Sequence, residues 1–194
     1  TYSCCGAVVT ENCSEFDYPI SNNGATCTLS CTDCKGTMGI FTIVAPACKT
    51  YGDGSSCEAS LLLDGEPVDG AVPFNYYEGD TALTAAPTDA GTYRAEYTVK
   101  DYGNEDAEGN DFPGYEDLII YVEYTIAPAT ITADMITLPS TVYTGSAQNP
   151  DIAVVANGVT LAHGTDYSVT VRAEDYIDAG SYDIEVVGKG NYTG

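Results

Sequence analysis

The sequence predicts an all-β protein: two Greek-key β-sandwich modules in tandem behind a small cysteine-rich cap. Three observations lead there. The phrase Asp89-Ala-Gly-Thr-Tyr93 returns as Asp178-Ala-Gly-Ser-Tyr182. After each phrase the residues alternate. Tyr93, Ala95, Tyr97 and Val99 share one face and Thr92, Arg94, Glu96 and Thr98 the other, as do Tyr182, Ile184 and Val186 against Ser181, Asp183 and Glu185. Side chains of a strand alternate sides, so this is the pattern of a half-buried strand. Finally, Thr, Val, Ile and Tyr are abundant, Gly and Pro recur at short intervals, and no long stretch repeats every three to four residues, which favours strands over helices.

Each phrase is read as a corner. Gly91 and Gly180 suit a turn with an unusual backbone angle. Tyr93 and Tyr182, just inside their strands, are expected to bury their rings and return their hydroxyls to nearby backbone. With 16 Tyr, 4 Phe and no Trp, tyrosine rings must supply much of the aromatic packing, with hydroxyls kept near polar partners.

Residues 1–36 carry six of the eight cysteines. A unit this short needs disulfides, metal or a neighbour to lean on, so it is read as a stapled cap. Residues 37–127 are read as the first sandwich, with strands near 39–45, 56–63, 74–77, 92–100 and 117–126. Turn signals at 51–54, 64–65, 78–80 and 89–91 separate them. The acidic, Gly-rich stretch 101–117 is a long loop before the last strand. Ala127-Pro128-Ala129 is a stiff junction, since proline restrains itself and its neighbour. Residues 128–194 are read as the second sandwich, with strands near 130–132, 135–138, 152–155, 166–172 and 181–187. Nothing after residue 187 plays the part of 117–126, so this module is expected to lack its last strand. A sheet missing an edge invites pairing with another chain. The chain is thus expected to be a monomer or to pair through residues 128–194, and to be a trimmed piece of a longer protein.

The modules match at more than the corners. Thr50-Tyr-Gly-Asp-Gly54 parallels Val142-Tyr-Thr-Gly-Ser146, and Leu62-Leu-Asp-Gly65 parallels Val155-Ala-Asn-Gly158. A period of about 90 residues is that of a domain array. With Tyr76-Tyr-Glu-Gly-Asp80, Gly164-Thr-Asp-Tyr167 and Gly188-Lys-Gly-Asn-Tyr192, these phrases give residues 38–194 a pattern that resembles the bacterial immunoglobulin-like repeats known as MBG domains of the YGX type. The resemblance implies tandem immunoglobulin-like sandwiches on large secreted or wall-attached proteins, serving as spacers or adhesive stalks without catalysis. Neither module has the inter-sheet disulfide of antibody domains, because Ala95 and Ile184 stand two residues after the corner tyrosines.

The net charge of −23, from 29 acidic and 6 basic residues, repels phosphate backbones and anionic lipid. Nucleic acid is excluded as a partner. No apolar run is long enough for a transmembrane helix, so no direct membrane insertion is expected. Eight cysteines in such a chain point to an oxidising, extracellular location. Cys48 and Cys57 flank the Gly52-Asp-Gly54 turn and are expected to form a disulfide. Cys4, Cys5, Cys13, Cys27, Cys31 and Cys34 allow 15 pairings, and the sequence does not choose among them. Cys31-Thr-Asp-Cys34 with Cys27 has usable zinc spacing, but zinc is the weaker reading without a second such pair.

Other constellations are bland. His163 lies in a turn, Leu161-Ala-His-Gly164, with no nucleophile motif beside it. Acidic residues are everywhere, so no carboxylate pair stands out for glycoside hydrolysis. Asp101, Glu105, Asp106, Glu108 and Asp111 offer oxygens of the kind Ca²⁺ prefers, but without the order of a helix-loop-helix calcium loop; a solvated acidic loop is the plainer reading. No other cofactor is expected. Lys35, Lys49, Lys100 and Lys189 sit at no evident core position for an isopeptide bond. The alternative to a spacer is a module binding carbohydrate or a protein ligand, with Tyr76, Tyr77 and Tyr115 as candidate stacking faces.

Overall fold

The computed structural model of the chain describes residues 24–30, 37–99, 118–148, 150–170 and 177–194. The described residues form an all-β fold of several sheets, without an α-helix and with one 3-10 turn at Ala133–Met135. Backbone contacts divide the chain into two compact units. The first holds the described residues of Thr1–Ala47, Ser56–Pro87 and Thr92–Tyr124; the second holds those of Cys48–Ser55, Thr88–Gly91 and Thr125–Gly194.

The first unit has two four-stranded sheets. One is a meander of β1 (Thr26–Ser30), β2 (Thr37–Val44), β3 (Ser60–Leu63) and β4 (Glu66–Pro67). The other has β5 (Asn75–Glu78), β6 (Thr81–Leu83), β7 (Gly91–Val99) and β8 (Leu118–Ile126) in the order β6-β5-β7-β8. Strand β7 carries the alternation read from the sequence: Tyr93, Ala95, Tyr97 and Val99 are buried, and the residues between them are not. Cys27, Phe41, Ile43 and Leu61 are buried on the first sheet, and Tyr76, Tyr93, Tyr97, Ile120 and Tyr124 on the second. The rings of Phe41 and Tyr97 lie 6.4 Å apart, so the inner faces meet. The buried tyrosines supply the aromatic bulk that the missing tryptophan leaves to them.

Buried hydroxyls need partners. Tyr76 accepts the Ala59 N–H at 2.9 Å. The Tyr93 ring packs against that of Tyr124 at 5.9 Å. The Tyr124 hydroxyl is buried without a hydrogen-bond partner among the described residues, and burial pushes it well above the ordinary phenol range.

Residues 26–30, read from the sequence as cap, form β1 and pair with β2, placing Cys27 opposite Phe41. Cys27 is a free thiol, which takes it out of the expected set of disulfides. The pleat explains this: Cys27 points into the core at 0% exposure, and that burial raises its thiol. Cys4, Cys5, Cys13, Cys31 and Cys34 lie outside the described residues. Cys48 and Cys57 form the expected disulfide.

In the second unit β10 (Ile136–Thr137), β11 (Ala153–Ala156) and β12 (Val159–Thr160) make one sheet, and β13 (Tyr167–Thr170) pairs with β14 (Glu185–Gly188). Strand β9 (Ala129–Thr130) pairs in parallel with β15 (Tyr192–Thr193). The sequence reading placed no strand after residue 187. Ile131, Val154, Ala156, Leu161 and Tyr167 form the core, with Met135, Ile136, Val169, Val186 and Tyr192 against it. Gly188 is required by close approach, because a Cβ there would lie 2.6 Å from the Thr193 backbone nitrogen.

The paired phrases build equivalent hairpins. Asp64-Gly65 joins β3 to β4 with φ 55° and 88°, and Asn157-Gly158 joins β11 to β12 with φ 51° and 78°. Two successive positive φ values are those of the type I′ turn, which Asp-Gly and Asn-Gly favour. The equivalence reaches the core. Ala59 and Ile152 each stand five residues before their turn's first residue. Each bonds to the hydroxyl of a buried tyrosine: Ala59 N–H donates to Tyr76, and Tyr167 donates to the Ile152 carbonyl at 2.7 Å.

Candidate functional site

The second unit gathers two turns from the earlier part of the chain, and the joint where its own strand ends hold them, within that unit, is a polar site of several hydrogen bonds. The first turn is residues 48–55. Gly52 and Gly54 have φ 70° and 81°, and between them the Asp53 carboxylate accepts N–H bonds from Ser55, Lys49 and Thr50 at 2.8, 2.9 and 3.2 Å. These bonds, with Ser55 contributing most, hold the Asp53 carboxyl down at about 2. Because its pKa is depressed on folding, the bonds are intact above the ordinary value of 3.8 and are lost as pH falls through about 2. The Ser55 amide should therefore titrate with a midpoint near pH 2 in an NMR series. A midpoint close to the ordinary carboxylate value would show that the turn is not held this way.

The turn is tied down on one side by backbone. Tyr51 N–H donates to Ala127 O and Ala127 N–H to Lys49 O, both at 2.8 Å. Its Gly52 carbonyl accepts the Asn157 side-chain amide at 3.4 Å. The Tyr51 ring meets the Tyr192 ring edge-on, with centroids 5.4 Å apart and planes at 78°, a preferred aromatic arrangement. Burial, and then the neighbouring Tyr51, raises the Tyr192 phenol.

The second turn is Thr88–Gly91, held by one side chain. Asn191 Nδ2 donates to Asp89 Oδ1 at 2.8 Å, and Asn191 Oδ1 accepts the Ala90 N–H at 2.7 Å. A carboxylate acceptor beside a backbone donor matches both ends of a primary amide. The Asn191 backbone carbonyl meanwhile accepts from Ala129 at 2.9 Å, bringing β9 and β15 together. Asn191→Ala should release the Ala90 amide, whose hydrogen exchange should quicken while that of Leu161 stays unchanged; unaltered Ala90 exchange would mean that the amide is protected by something else.

The sequence did not mark Asn191 as a site residue. It is one polar residue in the phrase Gly188-Lys-Gly-Asn-Tyr192, and its partners lie about a hundred positions away. Nor were Tyr76 and Tyr167 marked as anchors. Of the corner residues, Gly91 opens β7 and Tyr93 is buried, while neither Gly91 nor Gly180 takes the expected positive φ; a Cβ added at Gly180 would lie 3.8 Å from the Tyr182 ring, in ordinary contact. Tyr182 is only half-buried and donates to the Asp178 carbonyl at 2.6 Å. Residues 181–184 are not in a strand, since β14 begins at Glu185.

As a stacking face Tyr76 is overturned: its ring is buried at 7% exposure and its hydroxyl is bonded inward. Tyr77 lies on the outer face of the first unit's sheet, with the Arg94 guanidinium over its ring at 5.1 Å and over that of Tyr121 at 5.9 Å. Arg94 also pairs with Glu96 at 2.9 Å. Tyr115 and the acidic set Asp101, Glu105, Asp106, Glu108 and Asp111 lie outside the described residues. Among the described residues there is no group of three or more His, Cys, Asp or Glu side chains placed to hold a metal ion, and no helix is long and apolar enough to cross a membrane. His163 is exposed, 5.4 Å from the Tyr167 ring. An open groove of about 470 Å³ beside β3 and β5 is lined mainly by apolar residues, among them Leu61, Val68, Phe74 and Tyr76. No family model matches the chain, and no curated protein or solved structure matches it either.

Proposed function

We propose that the chain is a non-catalytic spacer: immunoglobulin-like modules of an adhesive stalk on a secreted or cell-surface bacterial protein. The observation that carries this reading is the joint itself. Two turns, a strand end and a proline-bearing junction are held by direct hydrogen bonds, an aromatic edge contact and the Asn191 clamp. These contacts lie within the second unit and serve to hold its turns in place, a structural use of their polar groups. The Cys48–Cys57 disulfide closes the chain around the first turn of that joint and fits an oxidising exterior. The charge of −23 keeps such an array soluble and repels other polyanions.

The alternative, a carbohydrate-binding module, is favoured by one observation, the Tyr77–Arg94–Tyr121 stack on an outer sheet face. Aromatic faces and a fixed cation are what a sugar acid would use. Titration of the chain against a panel of neutral and acidic polysaccharides decides between them. The spacer reading expects no saturable binding. Saturable binding that Tyr77→Ala abolishes would replace it with the alternative.

A further inference from the structure

The groove beside β3 and β5 has no part in the joint, and its described lining comes entirely from the first unit. It holds about 470 Å³, within the roughly 300–1,000 Å³ of small-molecule sites. Strand β3 supplies Ser60 and Leu61, the connection from β4 to β5 supplies Val68 and Phe74, and β5 supplies Tyr76. Among the described lining residues, only Glu58, Ser60 and Tyr76 have polar side chains, and Glu58 alone is charged. The Tyr76 hydroxyl is already engaged by the Ala59 N–H. Burial, and then the Glu58 carboxylate, raises the Tyr76 phenol, so that charge stands close to the groove wall. Phe74 is half-buried, its ring 6.3 Å from that of Tyr76 and 6.0 Å from that of Tyr97, which fixes one aromatic wall in place. Residues 58–86, which supply the lining, include six acidic residues and no Lys, Arg or His.

Each of these features narrows the chemistry of an occupant. An anion would meet Glu58 in a chain of net charge −23. A sugar would exchange its bonds to water for a wall with few donors and acceptors, which is costly. An organic cation with an apolar body meets both conditions. Its body removes apolar surface from water, and its positive end is attracted by a carboxylate and by the face of an aromatic ring. We propose that the groove is a binding site for an organic ammonium carrying an apolar body, with Glu58 as its charge partner and Phe74 as its aromatic wall. The site lies in the first unit and is independent of the spacer reading, which concerns the joint.

The test is an amide NMR titration of the whole chain with hexyltrimethylammonium. It is run in about 0.15 M salt, where attraction to acids more than about 8 Å away is largely screened. Hexanoate and hexan-1-ol are the anionic and neutral probes of the same carbon length. The cation should give saturable shifts at Ala59, Leu61, Val68 and Phe74. It should bind about fivefold tighter than either control, the margin that one charge contact or one cation–ring contact provides. Glu58→Gln should remove most of that margin. Asp80→Asn, at an exposed acid of the β5–β6 turn outside the lining, should leave it unchanged. Both substitutions are at exposed positions, so the fold is kept. No shift at Phe74, or binding of hexanoate or hexan-1-ol as tight as that of the cation, would overturn the proposal. Equal weakening by Glu58→Gln and Asp80→Asn would overturn it too, by showing attraction to the net charge alone.

Discussion

Tyr167→Ala should destabilise the second unit by about 3–5 kcal/mol, the usual cost of removing a large core aromatic, and lower its melting temperature on the order of 20 °C. The residue sits in the centre of that unit's core at 3% exposure. Removing the ring leaves a cavity against Val154 and Leu161 and strips the Ile152 carbonyl of its donor. Tyr167→Phe separates the two parts: it keeps the ring and loses only the hydrogen bond, at about 1–2 kcal/mol for a buried acceptor left unpaired. Tyr182→Ala, at a half-buried ring with a solvent-facing bond, should cost about 1 kcal/mol. Exchange at the Leu161 amide, bonded to the Val154 carbonyl at 2.9 Å, reports the opening of this core in all three variants. Equal losses for Tyr167→Ala and Tyr182→Ala would show that the anchoring role is assigned to the wrong tyrosine.

Reducing the Cys48–Cys57 disulfide should cost about 2.5–3 kcal/mol, the loop-closure value for so short a ring. The effect acts on the unfolded chain, which gains freedom once the ten residues from 48 to 57 are released. Urea midpoints with and without reductant measure it. A midpoint insensitive to reductant would remove this bond as a source of stability. Cys48 is itself buried at 1% exposure, so Cys48→Ala should lose somewhat more than reduction alone, by opening a small void. Thiol labelling gives an independent check. Cys27 should be blocked in the native protein, exposed on unfolding without reductant, and distinct from Cys48 and Cys57, which need reductant in both states.

Several features were legible because their causes are local. Asp64-Gly65 and Asn157-Gly158 read as matched turns because a two-residue hairpin needs positive φ twice, and few dipeptides tolerate that. Cys48 and Cys57 read as a pair because a glycine-rich turn lies between them. The alternation from Tyr93 to Val99 read as a half-buried strand because pleat and burial share a period of two. The second corner strand was harder. Tyr182, Ile184 and Val186 alternate as well as the first set does, yet β14 starts only at Glu185. Among the described residues, Tyr167–Thr170 pair with Glu185–Gly188.

The sequence by itself determined that the chain is β-built, that Asp64-Gly65 is a tight turn, and that Cys48 meets Cys57. These depend on φ preferences, side-chain periodicity and short ring closure, all properties of a few neighbouring residues. Only the tertiary structure decided which tyrosines anchor the cores, that Cys27 is a buried thiol in β1, that residues 192–193 lie parallel to 129–130, and that Asn191 clamps Asp89 and Ala90. Each of these joins groups between 15 and 102 positions apart, or turns on which side of a sheet is covered. An amide that can satisfy a carboxylate and an N–H at once is common in any sequence; only the folded chain brings this one within 3 Å of each partner.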